Sequence, residues 1–296
     1  MKQLIINADD FGWDAETVDA TIALFDRGLL TSATIMTGFE ATKRAIEFAR
    51  TAPDTWSFGL HFNIVDGHLP CSKTPNSLCT KQGMFRWSHL QRLAALFGQL
   101  RASDIAAELR AQLAILKQMG VRISHLDSHG HLHKFPTIAR AIKPVLEEFG
   151  VARVRRPQNL YMTRSFLDVL DRYCETRFPP FVTTDYLFMA EGEDHSWLEG
   201  FVSALPEGVT ELGIHPGRAE SWRNTQTEPL LNYDIAQLQK QGIDLVSYRE
   251  LGGKRPVTLS ITHNVLSYSG SEENVVEASE ASPQDGVPRR RIVIGS

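Results

Sequence analysis

Short apolar, β-branched runs alternate along the chain with stretches whose apolar residues recur every three or four positions. Leu4-Ile5-Ile6 has the composition of a buried strand. Over 14–26, Val18, Ile22 and Phe25 fall on one helical face, and Gly28 stands just past the end. Strands are expected over 30–36 and 58–64. Ser103 suits the N-cap of a helix carrying Ile105, Leu109, Leu113 and Leu116, closed by Gly120. A strand follows over 121–126. Pro136 fits a first helical turn, with Ile138, Ile142 and Val145 behind it and Gly150 as the stop. Further strands are expected over 151–154, 181–188, 209–214 and 243–246, with a helix over 229–241 before the last.

Repeated strand-then-helix units imply an α/β fold with a parallel sheet. Seven or eight such units close into a (β/α) barrel, which is the expected architecture. An open doubly wound sheet is the alternative, although no G-x-G-x-x-G follows the first strand. Two stretches interrupt the pattern. Residues 65–86 form a long polar loop with Pro70, Pro75 and Gly83, of the kind that serves as a lid or substrate wall. After about 253 the composition changes, and 269–286 is rich in Ser, Glu, Pro and Gly, which reads as disordered. The expected organisation is a barrel domain over 1–253 and a dispensable extension over 254–296. Its end, Arg289-Arg290-Arg291-Ile292-Val293-Ile294, is a basic then β-prone stub, with a short edge strand as the alternative.

At 296 residues the chain can bury a sizeable core. Its formal net charge of −4 offers no basic field, so neither nucleic acid nor an anionic membrane is an expected partner. Cys71, Cys79 and Cys174 are odd in number and form no C-x-x-C pair, which fits reduced thiols in a cytoplasmic protein. The opening MKQLIINADDFG lacks a signal-peptide core, and no uncharged apolar stretch reaches the roughly 18 residues of a membrane span. A homodimer is the default assembly.

Candidate chemistry lies where strands end. Asp9-Asp10 follows the first strand, and two adjacent carboxylates are relieved by a nearby cation. Taken alone, the pair is explained better by a helix cap or solvated charges, since Asp is common in turns and caps. His61 lies in Gly59-Leu60-His61-Phe62-Asn63 among large apolar residues, where a lone histidine is commonly a satisfied core group; Asn63 shares its side of an extended strand. The segment from His125 to His133 holds four of the ten histidines. In an extended strand Asp127, His129, His131 and His133 would share one side, although Gly130 suggests a turn. Imidazole is the commonest metal ligand, and packing alone explains such density poorly. His215 precedes Pro216-Gly217, which ends a strand and exposes the ring. Asp10, His61, His129 and His215 thus all stand at C-terminal ends of predicted strands, the face where a parallel α/β fold assembles its site. Trp13 and Trp87 are candidate sugar platforms. Arg155 and Arg156 follow a strand and read mainly as solvated charges.

Together, Ala8-Asp9-Asp10-Phe11-Gly12, Gly59-Leu60-His61, His125-Leu126-Asp127-Ser128-His129 and His215-Pro216 resemble the motif set of YdjC-like carbohydrate deacetylases, which include chitooligosaccharide deacetylases and a hopanoid-biosynthesis branch. The likeness runs from residue 1 to about 252, ending in Ser247-Tyr248-Arg249-Glu250-Leu251; Thr183-Thr184-Asp185 is similar too. The resemblance implies a deformed (β/α) barrel related to polysaccharide deacetylases. It implies that Asp10, His61 and His129 bind one divalent metal, magnesium by family custom, while imidazole ligands suit zinc or another transition metal better. It implies removal of an acetyl group from an N-acetylated sugar, with Asp9 as catalytic base and His215 as its partner acid; which of Asp9 and Asp10 is base and which is ligand stays open. The competing readings are a metallo-phosphoesterase on a similar barrel, which would hold more ions and carboxylates, and a non-catalytic metal- or sugar-binding protein. Asp-Phe-Gly at 10–12 does not indicate a kinase, because no His-Arg-Asp or glycine-rich phosphate loop accompanies it.

Overall fold

The computed structural model describes residues 1–73, 77–161, 167–190, 196–252 and 264–265. The first half of the chain forms β1 (Lys2–Phe11), α1 (Ala15–Asp26), β2 (Ser32–Ile35), α2 (Thr42–Thr51), β3 (Ser57–Phe62), α3 (Ser88–Leu96), α4 (Ala102–Gln118) and β4 (Ile123–Ser128). A 3₁₀ turn (His129–Lys134) leads into α5 (Pro136–Phe149), β5 (Arg153–Val154), β6 (Leu160–Tyr161) and α6 (Leu167–Glu175). Then come β7 (Tyr186–Met189), α7 (Trp197–Ser203), β8 (Gly208–Ile214), α8 (Ser221–Asn232), α9 (Ala236–Lys240), β9 (Ile243–Leu245), a 3₁₀ turn (Tyr248–Glu250) and β10 (Asn264–Val265). Of the expected 254–296 extension, only β10, paired with β6, falls among the described residues; the 269–286 stretch and the basic stub lie outside them. Among the described residues no helix is long and apolar enough to cross a membrane.

Eight strands make one parallel sheet in the order β5-β4-β3-β2-β1-β8-β7, with β9 added beside β1. β8 pairs β1 from Lys2 to Ala8; β9 pairs Lys2 to Leu4, and β2 pairs Asn7 to Phe11. The two ends of the sheet meet through one segment: Val182 bridges Arg153 of β5, and Tyr186 then opens β7 beside β8. The result is the expected deformed parallel (β/α) barrel, with helices packed outside.

Side-chain alternation sorts each strand into an outer and an inner set. Leu4, Ile6 and Ala8, Ala33 and Ile35, Phe58, Leu60 and Phe62, Leu126, Val154, Leu212 and Ile214 belong to the main core beneath the helices. The inner floor is apolar: Ile5, Val209, Val246, Tyr248 and Leu251 cluster there. Above it the inner positions turn polar. Asn7 Oδ1 accepts from Ser32 Oγ at 2.6 Å and lies 3.2 Å from His125 Nε2, whose ring stacks on Tyr248 at 3.8 Å. Gly59 is needed at this level, because a Cβ there would lie 2.6 Å from the His125 carbonyl oxygen. The barrel thus rises from an apolar floor through a polar layer to a charged rim.

Several elements depart from the periodicity reading. The helix expected over 229–241 is instead α8 and α9, and Pro229 sits inside α8. Proline leaves the carbonyl of Thr225 without its helical donor. The Trp197 indole N–H takes that place at 2.9 Å, which is how the helix passes through. α2, α3 and α6 are short and bury few apolar side chains, and α7 buries Trp197, Leu198, Phe201 and Val202 but at seven residues is too short to show a period. At α1 the cap is Asp14, whose carboxylate accepts from Thr17 N at 2.7 Å, leaving Asp9 and Asp10 free of that task.

Candidate active site

The end of β1 is irregular. Pairing with β2 slips between Ala8 and Phe11, and Asp10 adopts a left-handed φ of 59°. For a non-glycine residue this costs of order 1 kcal/mol or more, and such a distortion re-aims a side chain. It directs the Asp10 carboxylate to His129 and His61 while Asp9 points to Arg155. Each of Asp10, His61 and His129 offers a ligand atom, and these atoms lie within 4.8 Å of one another. The sequence-predicted trio is therefore brought together, all three buried, at the C-terminal ends of β1, β3 and β4.

Each imidazole is oriented by a further carboxylate. His61 Nδ1 lies 2.8 Å from Asp127 Oδ1, and its Nε2 stands 3.3 Å from Asp10 Oδ1. That contact is not aligned as a hydrogen bond, so His61 Nε2 is a buried nitrogen without a hydrogen-bond partner. His129 Nδ1 lies 2.9 Å from Asp10 Oδ1 and its Nε2 lies 3.3 Å from Asp66 Oδ2. Carboxylate–histidine pairs of this kind fix the tautomer that presents a lone pair to a cation. Two imidazoles and a carboxylate, one nitrogen of them orphaned, fit a divalent metal ion.

Electrostatics describe the same demand. Burial opposes the charge of His61, but Asp127 and Asp10 outweigh it and raise its pKa to about 10. His129 is raised likewise, burial being overcome by Asp10 and Asp66. Burial works to raise Asp10, yet His129 and His61 hold its carboxyl well below the usual range. Protons thus balance the charge of Asp10 where a cation would do so more fully.

Asp9 is held differently. Arg155, fully buried, donates from NH1 to Asp9 Oδ2 and from NH2 to Asp9 Oδ1, both at 2.6 Å. Its NH1 also lies 2.8 Å from Asp127 Oδ2, and its Nε donates to Glu211 Oε1 at 2.8 Å. Tyr248 OH donates to the other Glu211 oxygen. Burial pushes the Asp9 carboxyl up, but Arg155 outweighs it and keeps Asp9 ionised far below the ordinary carboxylate range. The expectation of solvated arginines is thereby corrected. Three carboxylates draw Arg155 inward, and Arg156 is buried against Glu175 and the carbonyls of Thr184 and Asp185.

His215 follows β8. Its Nε2 lies 3.9 Å from Asp9 Oδ2, and its backbone N–H donates to Gln226 Oε1 at 2.7 Å. Burial lowers its pKa, and Asp9 and Asp10 restore only part, so the surroundings favour the neutral ring. Three neighbours escaped the sequence reading. Arg223 donates from NH2 to Asp10 Oδ2 at 2.8 Å, and its guanidinium lies 4.5 Å from the Trp222 ring centre. Trp222, 37% exposed, packs edge-on against His215 at 5.4 Å. Asp66, in the long loop, has φ 61° and is pinned by Ser88 N at 2.8 Å. None of these three stands at a strand end, so the cue that found the others was silent.

The remaining histidines separate. At His129 the backbone turns through left-handed Gly130 and His131, and His133 bonds Ser128 instead of the rim. His125 belongs to the polar layer below. Asn63 Oδ1 accepts from Val65 N at 3.0 Å, a turn contact. Trp13 packs on Phe39, His68 and His129, at the site; Trp87 is 60% exposed beside Gly67. The described part of the 65–86 loop is a fixed wall: buried Glu108 accepts from Cys71 N and Ser72 N at 3.0 and 2.9 Å, and Asp104 accepts from Ser77 N.

A curled parallel barrel with carboxylates and imidazoles gathered at the C-terminal rim of its strands defines an α/β-barrel protein of the enzyme-like kind. A family profile described as YdjC-like protein matches residues 3–243, and the chain belongs to that family. A carbohydrate deacetylase of Brevibacillus brevis is 29% identical, over 84% of this chain and 100% of its own length. One from Geobacillus stearothermophilus is 28% identical, over 84% and 98%, and one from Homo sapiens is 25% identical, over 86% and 92%. Among solved structures, an Enterococcus faecalis protein named for cellobiose-phosphate cleavage superposes with a TM-score of 0.65 at 21% identity, covering 85% of this chain and 99% of that one; this likeness speaks to the fold alone.

Proposed function

We propose that this chain is a metal-dependent hydrolase that removes the acetyl group from an N-acetylated amino sugar, giving acetate and a free amine. The observation that carries the reading is the convergence of Asp10, His61 and His129 beside a separate carboxylate and imidazole, Asp9 and His215. The carbohydrate deacetylase relatives supply the substrate class. Asp10, His61 and His129 would hold the ion, His61 through Nε2. A divalent ion there polarises the acetyl carbonyl and acidifies water. Two imidazoles with one carboxylate favour zinc or another transition ion over magnesium, which prefers oxygen ligands.

The protein's own groups manage the proton. Asp9, kept anionic by Arg155, is the acceptor for the proton of the attacking water. His215, whose Nε2 faces Asp9 Oδ2 at 3.9 Å, receives that proton from Asp9 and passes it to the departing nitrogen. Trp13 on the His129 side and Trp222 on the His215 side offer aromatic faces to the sugar. A cytoplasmic setting is part of this reading and rests on three free cysteines.

The deciding experiment is a panel of N-acetylated sugars assayed for acetate after chelation and then with zinc, manganese, cobalt or magnesium restored singly. Acetate is expected only with a restored ion. Silence across the whole panel with every ion defeats the proposal.

Metal affinity is also expected to depend on pH. In the metal-free chain the His61 proton, held up to about 10 against an ordinary 6.5, must leave before Nε2 can bind an ion. Affinity should therefore climb between those two values, by up to about tenfold per pH unit for a single displaced proton. Metal-free stability runs the other way: the His61 contribution is complete below 6.5 and is lost as pH rises through about 10. Calorimetric titration at several pH values measures the first trend; an affinity flat from pH 6.5 to 9 contradicts it.

A further inference from the structure

Beside the Asp10, His61 and His129 group lies a second set of donors. Asp9, His61 and Asp127 also bring ligand atoms within 4.8 Å of one another, all three side chains buried. Glu211, equally buried, stands on the far side of the same space. Three carboxylates in a low-dielectric interior require a counter-charge, and in hydrolases with two ions the second ion supplies it. Here the space is already filled. Arg155 NH1 stands 2.6 Å from Asp9 Oδ2 and 2.8 Å from Asp127 Oδ2, while NH2 stands 2.6 Å from Asp9 Oδ1 and 2.8 Å from Glu211 Oε1. The guanidinium is fully buried and meets a carboxylate oxygen on every edge.

We propose that Arg155 is a resident cation at a second ion position, and that it limits the centre to one divalent metal. The inference rests on the reading that Asp10, His61 and His129 hold one ion, and it goes beyond that reading by giving the exclusion of a second ion a structural cause in Arg155. A guanidinium supplies one positive charge and five donors but cannot take water as a ligand. It therefore keeps Asp9 anionic and aimed without creating a second open coordination position. It also accounts for a rim with the carboxylates of a two-metal site and the chemistry of a one-metal site.

The test counts ions. Wild type, Arg155→Lys and Arg155→Ala are dialysed against excess Mn²⁺, freed of loose ion, and their metal content per folded chain is measured with far-ultraviolet circular dichroism as the folding check. One ion is expected in wild type and in Arg155→Lys, which keeps a cation, and two in Arg155→Ala. A folded Arg155→Ala that still takes one overturns the proposal. If that variant is recovered only unfolded, Arg155→Met, which keeps bulk and loses the charge, decides: two ions support the proposal, and one overturns it. A wild type that binds two overturns this inference alone. A wild type that binds none overturns the underlying reading with it.

Discussion

Replacing Asp10 with Asn is expected to remove bound metal and to cut acetate release about a thousandfold or more, the scale set by several kcal/mol of transition-state stabilisation from a bound ion. Asn keeps the shape of Asp and loses its charge. Asp10 Oδ1 is the one carboxylate oxygen that meets both His129 Nδ1 and His61 Nε2, and Oδ2 anchors Arg223. A neutral amide would leave the Arg223 guanidinium facing a cation site with no anion between them. Metal content and turnover should therefore fall together, while circular dichroism keeps its native shape. Turnover that survives with metal content near zero would remove the ion from the mechanism.

Asp9→Asn is expected to behave in the opposite sense with respect to metal. The Asp10, His61 and His129 trio is untouched, so the ion should stay bound, while kcat falls by about 10² to 10⁴, the usual range for a lost general base. His215→Ala should fall within the same range, and the double variant should be little worse than the poorer single one, because both serve one proton's path. Substrate binding should persist in Asp9→Asn. Equal losses of sugar binding and turnover would instead favour a binding protein over an enzyme. Asp9→Asn also takes one anion from Arg155, so a modest drop in melting temperature is expected alongside the kinetic effect.

Much of the site was legible because one rule placed it. Asp10, His61, His129 and His215 each end a parallel strand, and parallel strands end on one face, so chemistry spread over two hundred residues could be read as local. What the rule missed lies off the strands. Asp66 is presented by a loop, Trp222 and Arg223 by the first turn of α8, and nothing in their spacing tells which way they face. Arg155 was misread because exposure was inferred from residue type; only the convergence of Asp9, Asp127 and Glu211, on three different strands, makes its burial favourable. The histidine-rich segment was over-read for the converse reason. Alternation placed His131 and His133 beside His129, and the left-handed turn at Gly130 and His131 carries them away.

The floor of the barrel links the rim to the order in which the chain is made. β1, which carries Asp9 and Asp10, meets β8 on one edge and β9 on part of the other, and Tyr248 reaches up from the floor to Glu211 and so to Arg155. β1 thus acquires its neighbours from strands made long after it. A chain halted before residue 208 carries Asp10, His61 and His129 but has neither β8 nor the Tyr248 turn beneath them. Without β8 and α8 the rim would lack Glu211, His215 and Arg223, so the full set of groups around Asp9 and Asp10 comes together only after those elements are made.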